Sequence, residues 1–97
     1  MSVKTSRFIP DAYLDGPEGY AAYLDEAFAS GDPREVADAL GVIARAKGMS
    51  QLSLETGLPR ATLYKALSDT GNPELATVLR VAHALGLRLG ARVPEHA

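Results

Sequence analysis

Apolar side chains recur at intervals of three and four over most of this chain, the spacing that gathers them on one face of a helix. Tyr20, Ala21, Leu24, Ala27 and Phe28 form the first such stripe. It opens at Asp15-Gly16-Pro17-Glu18, where a proline suits the first helical position and an acid the positive end of the dipole, and Ser30-Gly31 stops it. A second helix is expected from Asp32-Pro33, with Asp32 as N-cap, Val36, Ala39, Leu40 and Ile43 on its inward stripe, and Gly48 as its end. Arg45 and Lys47 fall in its last turn, beside the negative end of the helix dipole.

Beyond Gly48 the elements shorten. Ser50 is expected to cap a helix of about two turns ending at Thr56, with Leu52 inward, and Gly57 is placed to turn the chain in a left-handed conformation. Leu58 is then buried at the turn, Pro59 opens the next helix, and Leu63 and Ala66 face inward from it. Two short helices joined by a short glycine-containing turn describe a helix-turn-helix. After the polar loop 69–72, Asn72-Pro73 repeats the cap-and-proline signal, and the helix it opens carries Leu75, Val78, Leu79, Ala82 and Leu85 on one stripe before Gly86.

In the tail the period changes. Leu87, Leu89, Ala91 and Val93 alternate with Arg88, Gly90 and Arg92, the two-residue repeat of a half-buried strand. With no second strand pattern in the chain, this one is expected to pair with a strand of another molecule; the other possibility is an extended tail lying on the helices. The expected fold class is all-α, about five helices with a short C-terminal β-strand. Its parts are an N-terminal segment 1–31 with an acidic amphipathic helix, a helix-turn-helix unit 32–86, and a tail 87–97, all within one compact domain.

Composition narrows function more than fold. With 97 residues, 46% of them hydrophobic and 23% charged, the chain suits one soluble globular domain rather than a disordered or fibrous protein. The lack of cysteine excludes disulfides, thiolate metal sites and cysteine nucleophiles together. Apolar runs such as residues 39–44 fall far short of the roughly 20 residues a membrane helix needs, and the start of the chain has no signal-peptide core, so a cytoplasmic protein without membrane contact is expected. The two histidines, His83 and His96, meet no convergent ligands, and there is neither a glycine-rich phosphate loop nor a Ser/His/Asp arrangement. No enzyme activity, cofactor or metal is expected. Charge is distributed unevenly: residues 1–35 hold three basic and seven acidic side chains, net −4, whereas residues 36–97 hold seven basic and five acidic, net +2. Such asymmetry suits two surfaces with different partners.

Met49 to Leu67, MSQLSLETGLPRATLYKAL, resembles the helix-turn-helix of Cro/CI-type (lambda-repressor-like) regulators: Leu52 five residues before Gly57, Leu58 just after it, and Leu63 and Ala66 in the second helix. The likeness extends through Asp11-Ala12-Tyr13-Leu14, Ala22-Tyr23-Leu24-Asp25-Glu26-Ala27, Gly31-Asp32-Pro33, Ala39-Leu40-Gly41, Ala44-Arg45-Ala46-Lys47-Gly48, Gly71-Asn72-Pro73, Thr77-Val78-Leu79 and Ala84-Leu85-Gly86-Leu87-Arg88-Leu89. Over roughly this span the chain is similar to the HigA-like addiction-module antidotes, that is, antitoxins. It departs from their pattern at Ser53, where a small alanine is usual, and at Pro59, where serine is common. Ser53 fits if its hydroxyl bonds back to its own helix.

The resemblance implies a type II toxin–antitoxin module with two partners: a RelE/ParE-like, HigB-type toxin, which the antidote binds and neutralises, and double-stranded operator DNA, which it binds as a homodimer to repress its own operon. Base-contact candidates are Arg60, whose guanidinium suits guanine O6 and N7, then Ala61, Thr62 and Lys65. Phosphate-contact candidates are Ser50, Gln51, Tyr64, Ser68, Thr70 and Asn72, the last also explained as a helix cap. For the toxin or the dimer the candidates are Tyr20, Tyr23, Asp25 and Glu26 on the acidic helix and Leu87, Leu89, Ala91 and Val93 in the tail, with core packing the favoured reading of Tyr20 and Phe28. A prophage-type repressor without a toxin is the alternative.

Overall fold

The computed structural model describes residues 14–95, so the early matches around Asp11 and the histidine at 96 lie outside the described residues. Among the described residues five helices follow one another: α1 (Pro17–Ser30), α2 (Pro33–Lys47), α3 (Met49–Thr56), α4 (Arg60–Ala66) and α5 (Leu75–Ala84). α1 packs on α2, α2 on α3 and α4, and α3 on both α4 and α5. This is an all-α arrangement compatible with a helix-turn-helix-like fold. None of these helices is long and apolar enough to cross a membrane.

The helix starts follow local chemistry. Asp32 takes an extended conformation and its carboxylate accepts from Arg34 N–H at 2.9 Å, with Pro33 in the first turn, so α2 is capped as its sequence requires. Two expected caps are displaced. Gly48, not Ser50, precedes α3, and Ser50 lies exposed inside its first turn. α5 begins at Leu75 behind Glu74, which makes no side-chain cap; Asn72 remains in the preceding loop.

The core is one cluster built from Leu24 of α1, Leu40 and Ile43 of α2, Leu52 of α3, Leu63 of α4, Leu67 beyond it, and Val81 and Leu85 around α5. Each such side chain contributes about 1.5–3 kcal/mol when fully buried. Two stripes sit differently from their expected register. On α5 the inward residues are Val78, Val81, Ala82 and Leu85, while Leu75 and Leu79 are 68% and 47% exposed. α5 starting later and touching the body mainly through α3 presents a narrower inward face than the sequence stripe offers. On α1, Tyr20 is 8% exposed and in the core, but Phe28, expected to pack there, is 43% exposed, and Ala21 is exposed as well.

Gly41 explains how the long helix α2 comes so close to the end of α4. A Cβ there would lie 2.1 Å from the Leu67 carbonyl oxygen, far inside contact distance. Glycine inside a helix costs about 1 kcal/mol relative to alanine, and here that cost is offset by the approach of two backbones.

The tail is where expectation and structure part. No strand is formed among the described residues. Gly86 takes φ +83°, Gly86 N–H bonds the His83 carbonyl at 3.0 Å and Leu87 N–H the Ala82 carbonyl at 2.8 Å, the paired bonds of a Schellman ending to α5. Gly86 is also packed near Pro17, so the chain leaving α5 is delivered onto α1. There residues 87–92 share a crevice with α1, and Arg92 Nη2 reaches the two carboxylate oxygens of Asp25 at 2.5 and 2.6 Å. An intramolecular helix face takes the place of a partner strand.

Replacing Gly41 with alanine is expected to lower stability by about 1–3 kcal/mol through overpacking, read as a reduced midpoint in urea unfolding with the helical signal retained before the transition.

Candidate functional site

The clearest constructed feature is the joint between α3 and α4. Gly57 ends α3 at φ +76°, ψ +11°, and its N–H returns to the Ser53 carbonyl at 2.9 Å. This left-handed conformation suits glycine because a Cβ would be strained there. The chain is then held on both sides of the glycine. The Thr56 hydroxyl donates to the Leu52 carbonyl at 2.8 Å and accepts from Leu58 N–H at 3.2 Å. Ser53, expected to bond back to its own helix, donates instead across the turn to the Leu58 carbonyl at 2.5 Å. Arg80 Nη1 approaches the Thr56 carbonyl at 3.5 Å, a long contact from α5. Four polar groups thus surround three residues, while Leu52 and Leu63 anchor the two helices beneath them.

What this joint presents is the start of α4. Pro59 is extended with φ −61°, and its carbonyl accepts from Leu63 N–H. Arg60 is the first helical residue and is exposed, as are Ala61, Thr62 and Lys65. Tyr64, one turn on, is half exposed, with its ring centroid 6.0 Å from the Arg60 guanidinium carbon. At this separation the ring face attracts the cation and restricts its rotamers, leaving the guanidinium edges free to donate.

The other polar candidates are in less uniform surroundings. Ser50 and Gln51 are exposed in the first turn of α3, but the Gln51 amide donates to Glu55 at 2.7 Å, and Lys47 lies 3.6 Å from the same carboxylate. The Gln51 bond, opposed by desolvation and aided to a lesser degree by Lys47, holds the Glu55 carboxyl below its ordinary value. Ser68 donates to the Lys65 carbonyl at 3.2 Å and lies 3.3 Å from Thr70, so both hydroxyls have local partners. Asn72 is exposed in the loop before α5.

On α1, Tyr20 belongs to the core, Tyr23 packs half-buried against it, Asp25 is paired with Arg92, and Glu26 is exposed. In the tail, Leu87 and Leu89 are half-buried and Ala91 and Val93 exposed. Sequence reading missed Thr56, Glu55 and Arg92 as organising residues. Thr56 carried a signal in its place before the turn glycine, where a hydroxyl can accept from the N–H two residues on; the partners of Arg92 and Glu55 depend on folded positions.

Over residues 4–93 the sequence matches the family described as "Probable addiction module antidote protein". It is 45% identical over 88 residues to an uncharacterised protein of Haemophilus influenzae, covering 91% of each chain. The chain belongs to the addiction-module antidote family. An antidote implies a toxin partner in general terms. No solved structure matches it significantly.

Thr56→Val is expected to cost this antidote about 1–3 kcal/mol, because the Leu58 N–H loses its acceptor, whereas Arg60→Ala should change stability by less than about 0.5 kcal/mol. Thermal unfolding of the two variants beside the parent measures the contrast.

Proposed function

We propose that this antidote belongs to a type II toxin–antitoxin module, that it binds and neutralises a RelE/ParE-like, HigB-type toxin, and that it represses its own operon by placing α4 in the major groove of operator DNA. In this reading α3–turn–α4 is a Cro/CI-type, HigA-like helix-turn-helix. The observation that carries it is an exposed arginine at the head of a short helix whose approach angle is set by the Gly57 joint. Arg60 donates to guanine O6 and N7, Ala61 and Thr62 offer methyl and hydroxyl groups to neighbouring bases, and Lys65 serves the backbone. Ser50, Gln51, Tyr64, Ser68, Thr70 and Asn72 are the phosphate-side candidates; Gln51 and Ser68 would exchange internal partners for phosphate. The protein works by binding, without catalysis of its own, in the cytoplasm where its DNA and toxin are found.

A homodimer is part of the proposal because one short helix offers few contacts, and two half-sites about 34 Å apart multiply them. With the tail lying on α1, its candidate dimer contact is the exposed edge of α5, where Leu75 and Leu79 stand one turn apart. Two copies of such an edge can pack against each other around a two-fold axis. The toxin falls to the acidic α1 side, with Tyr23, Asp25, Glu26 and the adjoining tail.

Gel-shift titration on the duplex upstream of its own gene tests the DNA role. Arg60→Ala should weaken binding by about 1–3 kcal/mol, roughly five- to 150-fold, and relax preference at one base pair; undiminished affinity refutes base reading by this helix. Leu79→Glu should shift the protein toward monomer in sedimentation while leaving its helical spectrum unchanged, and a dimer that persists removes α5 from the interface.

A further inference from the structure

Between α1 and the tail runs an open crevice of about 570 Å³, within the size range of ligand sites. Ala21, Ala22, Leu24, Phe28 and Leu89 give its lining apolar surface. Asp25 also lines it, and the tail's own Arg92 occupies that carboxylate. Both members of the pair are largely exposed, with side chains 75% and 60% accessible, so the contact is a weak one of the kind water and competing ions readily displace.

Resting on the toxin-binding role proposed above, we propose that this crevice is the toxin's docking site: an apolar side chain of the toxin enters it, a neighbouring arginine or lysine takes Asp25, and Arg92 is released. The chemistry of the occupant follows from what the site already holds. Arg92 shows that a guanidinium reaches Asp25 while its own chain lies against an apolar wall, so a cationic segment with an adjacent apolar residue satisfies both features. The half-exposed Phe28 ring, which the protein's own core leaves uncovered, gains an apolar neighbour in such a complex. Glu18 and Glu26 on the same helix are exposed acids that add to the negative potential met by an approaching cationic partner. Arg92 then acts as an internal competitor, and its removal strengthens toxin binding rather than weakening it.

The test is titration calorimetry of the full-length antidote against the purified product of the reading frame adjacent to its gene, with Ala22→Trp, Asp25→Asn and Arg92→Ala as variants. Ala22 and Asp25 are exposed, and unfolding curves verify that each variant is folded. Filling the crevice with Ala22→Trp and neutralising the carboxylate with Asp25→Asn should each weaken binding about tenfold or more. Arg92→Ala should bind about two- to fivefold tighter, the scale of an exposed ion pair. Parental affinity in both Ala22→Trp and Asp25→Asn overturns the docking site while leaving the antidote role intact. Arg92→Ala binding no tighter than the parent overturns the competitor. A parent chain that binds no such product overturns the toxin role and the crevice together.

Discussion

The left-handed turn at Gly57 is the constraint on which the rest of the molecule depends. α4 is only seven residues long, too short to hold its conformation in isolation, so its direction comes entirely from its attachments. Those are the glycine itself, the hydroxyls of Thr56 and Ser53 on the Leu58 backbone, and the burial of Leu63 and Leu67 against α2. Gly41 completes the seat by letting α2 touch the carbonyl at the far end of α4. An exposed arginine at the head of such a helix is displayed at a fixed angle by groups that take no part in what it meets.

The elements legible in the sequence were those whose signals are local. Asp32-Pro33 and Ser30-Gly31 mark boundaries through caps and dihedral preferences, and Gly57 through its positive φ. Leu40, Ile43, Leu52 and Leu63 identify themselves by period and lie in the core. What was not legible is non-local. Whether Leu75 and Leu79 are buried depends on how much of α5 the other helices cover, and the stripe alone cannot say. The alternation from Leu87 to Val93 describes an extended chain half covered on one side; Leu87 and Leu89 find partial cover within the fold while Ala91 and Val93 stay exposed. At the candidate site, exposure of Arg60 followed from its position, while the approach of Arg60 to the Tyr64 ring and the diversion of Gln51 toward Glu55 depend on side-chain conformations that the sequence does not specify.

The two ends of the chain converge to make a second surface. The Schellman turn at Gly86 sends the tail back along α1, so the acidic first helix and the more basic last segment meet at Asp25 and Arg92. The charge asymmetry of the sequence is therefore partly neutralised within the fold. What remains outward is an acidic, partly apolar α1 face beside the tail, and a separate polar and cationic presentation at the head of α4. An antidote that meets a toxin and, in the role proposed for it, operator DNA is served by keeping these chemistries on different elements.

In the proposed role the Gly57 joint aims α4 at nucleic acid. Its most direct measurement is the map of backbone amide shifts when the isotope-labelled protein is titrated with the duplex upstream of its own gene. Changes are expected to concentrate at residues 59–65, with smaller ones at 50–51 and 68–72, and little along α1. Changes confined to α1 and the tail, with α4 unmoved, would contradict it.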